Sequence, residues 1–265
     1  MQNHFNSVNQ LQNDSSVFSF HDAADQLDFI QQCKHTMRVL YPGAAGDAVL
    51  DIGCGLGQEL QRFSQTVGEE GLLVGVDLSE SVIAEARNRV VQQGLNIDFQ
   101  VGDAQQLKQA DNQFNLCRAE RVIEYVDDPV AMLREMVRVL KPGGSLLLFD
   151  FDYQTMIADA DDPELNYKIS QIVFRSVPSG GAAGQMLRHL TNLGMNSIKV
   201  IPQTFVLSFD VYEMMVRQAT LSAMQQRQLS QFEYEHWWQT LSDAAAAGVF
   251  FASLSGFISY GVKPC

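Results

Sequence analysis

Basic residues are scarce in this chain. Its 18 Lys and Arg against 31 Asp and Glu leave a formal net charge of −13 over 265 residues. Affinity for nucleic acid rests largely on Lys and Arg neutralising phosphates, so no nucleic-acid partner is expected. Cysteine is sparse as well: Cys33, Cys54, Cys117 and Cys265 show no C-x-x-C pairing, and reduced, mostly buried thiols are the expectation. The five histidines, His4, His21, His35, His189 and His236, are scattered without an H-E-x-x-H or similar cluster, so no metal site is expected. Long apolar runs are missing too. The stretch Ala244 to Leu254 is too short to span a bilayer and is interrupted by Gly248 and Ser253. Met1 to Asn6 carry neither the basic region nor the apolar core of a signal peptide, so the expected location is cytoplasmic.

What the chain does have is the run Val49-Leu50-Asp51-Ile52-Gly53-Cys54-Gly55-Leu56-Gly57. Apolar side chains around one acid suit a strand covered on both faces. Three glycines on alternate positions then strip Cβ atoms from a tight turn, so that backbone can approach a ligand. Gln58 to Phe63 come next with helical apolar spacing and bring the positive end of a helix dipole to the same place. The next strand, Leu72 to Val76, ends in Asp77, roughly the distance at which an acid grips a ribose diol in dinucleotide-binding folds. Two cofactor types share this outline. The nicotinamide fingerprint G-x-G-x-x-G would need a sixth-position glycine, and Gln58 stands there instead, which argues against a bound pyrophosphate.

These residues, with others further along the chain, resemble the class I S-adenosylmethionine-dependent methyltransferases, in the small-molecule branch that includes the ubiquinone and menaquinone C-methyltransferases. Val49 to Gly57 resembles the first motif, Gly75-Val76-Asp77-Leu78-Ser79 the ribose-binding acid, and Val101-Gly102-Asp103-Ala104 the adenine-side motif. Phe114 to Leu116 through Val122 to Val126 resembles the fourth-strand motif, and Leu140-Lys141-Pro142-Gly143-Gly144 the turn before strand five. The resemblance is tight from about 45 to 152 and looser beyond. It implies S-adenosyl-L-methionine as cofactor and S-adenosyl-L-homocysteine as product, held by Asp51, Gly53, Gly55, Gly57, Gln58, Asp77, Leu78, Asp103, Ala104 and the Arg118 backbone region. An acidic body is compatible with a cationic sulfonium, although such surfaces usually serve solubility. A metal is not implied.

The implied fold is α/β: a doubly wound, seven-stranded, mostly parallel sheet of Rossmann-like methyltransferase type, with a last antiparallel strand and added helices. The chain reads as one domain over 1–265, divided into an N-terminal helical lid (1–45), a cofactor-binding core (46–202), a helical insertion (203–248) and a final strand (249–265). Within 1–45, Leu27, Ile30, Met37 and Leu40 form an apolar stripe. Phe18, Phe20 and His21 either fold over the cofactor edge or simply pack. Ser79 is expected to cap a helix carrying Ile83, Ala86 and Val90, and Asp128-Pro129 to open one whose buried face is Leu133, Met136, Val137 and Leu140. Lys141 to Gly144 would end that helix and Ser145 to Phe149 would be a buried strand. Further on, the pattern suggests an acidic turn at Asp159 to Pro163, a helix from Gly184 to Leu193, a strand from Asn196 to Pro202, helices over 203–247 and a strand from Phe250 to Val262.

Methyl transfer from a sulfonium is an in-line displacement activated by the cofactor, so the protein's tasks are orientation and exclusion of water. Tyr125 and Asp152 are the candidate catalytic residues. Tyr125 stands where many relatives carry histidine and would orient an acceptor or donate a hydrogen bond, the alternative being packing. Asp152 lies at the carboxyl edge of strand five, where open α/β sheets bind ligands, the alternative being a turn cap. Glu120, Arg121 and Glu124 read as solvated or helix-end ion pairs. Trp237 and Trp238 cannot both face one way on a helix, so one of them is expected in the core. The acceptor is then a small molecule methylated on O, N or C, with oligomeric state open. The alternative is a cofactor-binding member that catalyses a non-methylating reaction such as a cyclisation, or serves as a scaffold. Enzymes that methylate amino groups of protein or nucleic acid are remote, since Phe114 to Ala119 lacks their Asn/Asp-Pro-Pro-Tyr/Phe motif.

Overall fold

The computed structural model describes residues 14–265, with the side chains of 14–17 and of Phe20 outside the described ones. Two helices, α1 (Asp14–Asp25) and α2 (Asp28–Leu40), precede β1 (Ala48–Ile52). Strands and helices then alternate: α3 (Gln58–Val67), β2 (Leu72–Asp77), α4 (Glu80–Gln93), β3 (Asp98–Val101), β4 (Phe114–Glu120), α5 (Pro129–Val139) and β5 (Leu140–Ala158). The remainder is α6 (Pro163–Ser176), α7 (Met186–Asn192), β6 (Asn196–Leu207), α8 (Phe209–Gln225), α9 (Gln231–Ala246) and β7 (Ala252–Val262).

The strands form one seven-stranded sheet in the order β3-β2-β1-β4-β5-β7-β6. Pairs from β3 to β5 are parallel, and β7 runs antiparallel to both its neighbours. The fold is therefore the doubly wound, mostly parallel sheet with an inserted antiparallel last strand. Strand order reverses between β1 and β4, which makes their carboxyl ends the switch point where such sheets bind ligands.

Period-two alternation sorts the strand residues. Val49, Leu116, Leu147 and Phe149 pack with α2, α3, α4, α6, α8 and α9 on one face; Leu50, Ile52, Cys117, Leu146 and Leu148 pack with α5 and α7 on the other. Asp51 shares the first face with Arg118 and Glu120. Asp150 and Asp152 share the second.

Caps form where expected. Ser79 Oγ accepts from the Val82 amide, and Asp128 Oδ1 from those of Val130 and Ala131, with Pro129 opening α5. Several boundaries differ. Leu140 begins β5 instead of closing the α5 face, because Gly143 and Gly144 exchange backbone hydrogen bonds with Lys263 and extend the strand backwards. Val139 takes the buried place on α5. Helix α6, opened by Asp162-Pro163, had no expectation attached to it, β6 continues to Leu207, and β7 starts at Ala252. Both tryptophans are buried, at 1% and 6% exposure. This corrects the expectation of one core tryptophan: α9 is covered on two sides, Trp237 donating to Asn166 of α6 and Trp238 to Thr220 of α8.

Candidate functional site

At the end of β1 the chain turns through Gly53, Gly55 and Gly57, all in the left-handed region at φ 63°, 52° and 80°. Side chains are excluded there for two reasons. The conformation disfavours L residues, and a Cβ on Gly53 would stand 2.2 Å from Val122 Cγ2 and one on Gly57 2.4 Å from the Phe99 ring. Gly55 is different, since a Cβ there would meet only His21, whose Nδ1 lies at 3.3 Å. The middle glycine thus faces α1.

Asp77 holds this turn. Its Oδ2 accepts from the Gly55 amide at 3.1 Å and its Oδ1 from the Ser79 amide at 3.0 Å, so the acid after β2 joins the glycine turn to the start of α4. Each oxygen keeps a further lone pair. Leu78, next along, is 50% exposed and offers an apolar shelf. Asp103 uses Oδ1 on the Gln105 amide and is exposed beside the half-buried Ala104. An exposed apolar shelf between two strand-end acids, beside a turn that leaves no room for side chains at Gly53 and Gly57, fits an adenosine with its ribose diol at Asp77.

Two expected site residues sit lower. Asp51 is 2% and Arg118 3% exposed, and Arg118 Nη1 donates to Asp51 Oδ1 at 2.8 Å beneath the turn. Around them is a buried ionic group missed in the sequence: Lys34 pairs with Asp25, with Glu59 at 3.3 Å and with Glu120 at 3.4 Å, while Arg118 reaches Glu120 at 3.0 Å. Burial pushes the Asp51 carboxyl up to about 6 against the pull of Arg118. Burial acts in the same direction on Glu59, but Arg118, Lys34, Arg62 and Arg38 outweigh it and hold Glu59 below its ordinary range. Of Glu120 and Glu124, read as solvated, Glu124 is buried and Glu120 keeps only 7% of its side chain exposed. Only Arg121 keeps appreciable exposure, with its side chain at 26%.

Helix α1 lies across the open edge. Asp22 accepts from Gln58 Nε2 at 3.1 Å and pairs with Arg89 of α4 at 2.9 Å, so Gln58 faces α1. Phe18 packs on Leu56 and Val82. Burial, reinforced by Arg121, lowers the His21 imidazole below its ordinary value although Asp77 opposes this.

Tyr125 ends a short 3-10 turn (Ile123–Tyr125) after β4 and is 38% exposed, its hydroxyl hydrogen-bonded to Glu124 and Tyr153. Asp152 is 6% exposed and its carboxylate takes the amides of Gln154, at 3.0 Å, and Gly184. It ties β5 to the loop before α7. Among the described residues no group of three or more His, Cys, Asp or Glu is placed to hold a metal ion, and no helix is long and apolar enough to cross a membrane. Cys33, Cys54 and Cys117 are buried and Cys265 exposed.

Fold and site together define a Rossmann-like α/β protein with a tight glycine turn and strand-end acids at its switch point. The chain belongs to the methyltransferase family: the model described as a methyltransferase domain matches residues 44–194. Membership of this family implies S-adenosyl-L-methionine as the cofactor. Among curated relatives, the ubiquinone/menaquinone biosynthesis C-methyltransferase UbiE of Bdellovibrio bacteriovorus is 40% identical over 114 residues, 43% of this chain and 48% of that protein. The chain spans about half the length of the curated relatives it matches. In fold it is similar to phosphoethanolamine N-methyltransferase 2 of Haemonchus contortus, solved with S-adenosyl-L-methionine (TM-score 0.64, 18% identity, 97% of this chain and 59% of that one). It is also similar to the [4+2]-cyclase SpnF (TM-score 0.53, 20% identity, 89% and 81%).

Proposed function

We propose that this protein is an S-adenosylmethionine-dependent methyltransferase that transfers a methyl group to O, N or C of a small molecule, acting mainly by binding and in-line orientation. The observation that carries the reading is Asp77 holding the Gly55 amide with lone pairs to spare, in motif register with Leu78 and Asp103. The bound cofactor supplies a methyl group on a sulfonium whose departure leaves a neutral thioether. The protein's residues supply placement. Asp77 takes the ribose hydroxyls, Asp103 the adenine amino group, and Asp51 with Arg118 sets the charge beneath the methionyl part.

Helix α1 serves as a lid, with His21 over Gly55, and the acceptor enters between α1, Tyr125 and the loop before α7. The helices α8 and α9 shape the far wall. The cavity of about 260 Å³ between β5, α6 and α8, bordered by Ile157, Tyr167 and Tyr212, shares no residue with the cofactor edge and is not assigned to the acceptor. The net charge of −13 supports a partner other than nucleic acid. Cys33, Cys54 and Cys117 are buried free thiols, which supports a reducing compartment such as the cytoplasm.

The test is release of S-adenosyl-L-homocysteine from S-adenosyl-L-methionine in the presence of metabolite fractions. Release that depends on one fraction is the expected result. Tight cofactor binding with every fraction leaving the methyl group in place would favour the non-methylating alternative, a cyclisation or a scaffold.

A further inference from the structure

Arg121, the residue that follows β4, holds a conformation that L residues rarely adopt. It lies in the left-handed region at φ 56°, where glycine would be the undemanding choice, yet it is long and bulky. Two sets of hydrogen bonds keep it there. Its own amide donates to the Phe149 carbonyl at 2.7 Å, and Asp150 Oδ1 accepts from the amides of Val122 at 2.6 Å and Ile123 at 2.9 Å, which pins the turn. An outlier fixed so firmly at the switch point of the sheet marks a side chain whose direction matters.

That side chain is a cation without a full partner. Glu120 Oε1 stands 3.5 Å from Arg121 Nη2, and neither Glu120 Oε1 nor Arg121 Nε, both buried, has a hydrogen-bond partner. The other Glu120 oxygen already serves Arg118 at 3.0 Å and Lys34 at 3.4 Å. A pair so stretched and shared leaves the guanidinium edge unmet, and a buried N–H without an acceptor is costly. The side chain keeps 26% of its surface open, so a ligand can reach it. Lys34 and Arg118, by contrast, are buried among acids, and Arg89 is taken up by Asp22 and Glu85.

Its neighbours place Arg121 beside the glycine turn. Its charge acts on His21 of α1, on Glu124 and Tyr125 of the turn after β4, and on Tyr153 of β5, so the guanidinium lies among these four. His21 faces Gly55, and Val122, next to Arg121, abuts Gly53.

We propose that Arg121 binds a carboxylate of the methyl acceptor, which makes the acceptor a small carboxylic acid. The inference rests on the methyltransferase reading and adds the acceptor's charge to it. One guanidinium balances one negative charge, and its flat edge of parallel N–H donors matches the two oxygens of a carboxylate. A phosphate monoester would bring a second charge toward the buried acids Glu124 and Asp150, which oppose it. A carboxylate fixed at Arg121 anchors the acceptor at one end, so that its nucleophilic atom is set in line with the sulfonium.

The experiment uses the full chain and two readouts. In the first, trifluoroacetate is the minimal carboxylate probe, and its 19F linewidth is followed on titration with the chain, with and without saturating S-adenosyl-L-homocysteine. The parent should broaden the line saturably, and Arg121→Gln and Arg121→Gly should weaken the probe at least tenfold. Glycine suits the left-handed backbone, so the second variant keeps the test sound if the first folds poorly. Calorimetry should find S-adenosyl-L-homocysteine affinity within twofold of the parent in both. In the second readout, metabolites are passed over an anion exchanger at pH 7 and at about pH 2.5, and the fractions are assayed for methyl transfer from a tritiated donor. The acceptor should be retained at pH 7 and pass through at the lower pH, where a carboxylate that titrates at about 4 is mostly protonated. On the active fraction, Arg121→Gln should need at least tenfold more acceptor for half-maximal rate.

Probe binding absent from the parent or unchanged in both variants would overturn the proposal. So would an acceptor that passes through at pH 7, or one retained at both pH values as a phosphate monoester is. Variants that bind S-adenosyl-L-homocysteine tenfold more weakly would overturn it too, since Arg121 would then hold the cofactor's own carboxylate. If the parent fails to bind S-adenosyl-L-homocysteine, or binds it and methylates no fraction, the broader methyltransferase reading falls instead, and the fluorine readout still shows whether Arg121 takes a carboxylate.

Discussion

Single carboxylates carry most of what is proposed for this site, and their surroundings differ. Asp77 faces the open edge with spare lone pairs, so Asp77→Ala removes charge-assisted hydrogen bonds worth about 1.5–3 kcal/mol each. We expect S-adenosyl-L-homocysteine to bind at least tenfold more weakly by calorimetry, and the urea midpoint to fall as well, because the bonds from the Gly55 and Ser79 amides are lost with the carboxylate. Parent-like affinity would make Asp77 a purely structural acid. Glu124 lies inside the fold and titrates high. An acid whose folded value is raised above its unfolded one stabilises the fold below the unfolded value, and that contribution is lost as pH rises through the folded value. For Glu124 the window runs from about 4.5 to about 7. Parent stability should fall across it, whereas Glu124→Gln should not share the loss. Its advantage in urea unfolding should grow between pH 5 and 8 to at most about 3 kcal/mol, because each tenfold weakening of the acid on folding is worth about 1.4 kcal/mol. A constant difference across that range would mean that Glu124 is ionised throughout.

At the scale of elements, α1 and α2 are held by different forces. Asp22 bridges α1 to Gln58 and Arg89 at the surface, where such pairs are worth at most about 1 kcal/mol each. That is the strength that the lid proposed above would need in order to open. Asp22→Ala should raise amide exchange along the first turns of α1 by roughly fivefold and leave β1 unaffected; unchanged exchange would show that Phe18 packing and the pairing of Asp25 with Lys34 hold the helix. Helix α2 is anchored by Lys34, whose side chain is 5% exposed and sits among Asp25, Glu59 and Glu120. Lys34→Met strands three buried acids. Breaking buried pairs of this kind costs about 3–5 kcal/mol, so a loss of that size in chemical denaturation is expected. A loss below about 1 kcal/mol would place the acids in contact with water.

For the molecule as a whole, cofactor binding should couple to stability, because the cradle draws on β1, β2, β3 and α4 and exists only in the folded chain. At a hundredfold excess over Kd, S-adenosyl-L-homocysteine should stabilise the fold by about 2.7 kcal/mol. NAD should give no shift in the thermal midpoint at the same concentration, since Gln58 faces α1 where a dinucleotide turn needs its sixth-position glycine. A shift with NAD and none with the sulfur ligand would reverse the cofactor assignment.

The α/β alternation, the glycine turn and the strand-end acids are legible in the amino-acid order alone, because each depends on neighbours within a few residues. Val49 to Gly57 can only be strand then turn, and Ser79 and Asp128-Pro129 cap the helices that they precede. Whatever depends on distant parts meeting is set by the packed chain. Lys34, Glu59 and Glu120 form one ionic group only because α2 and α3 pack over the ends of β1 and β4, and nothing local distinguishes them from solvated charges. Trp237 and Trp238 are both buried because α6 and α8 cover two sides of α9. Leu140 and Gly143 become strand because Lys263 pairs with them from the far end of the chain. Glu124 reads as a helix-end acid in isolation. Its burial comes from the fold of β5 beside it, where Asp150 pins the turn and Tyr153 completes the hydroxyl chain, which no spacing in the sequence records.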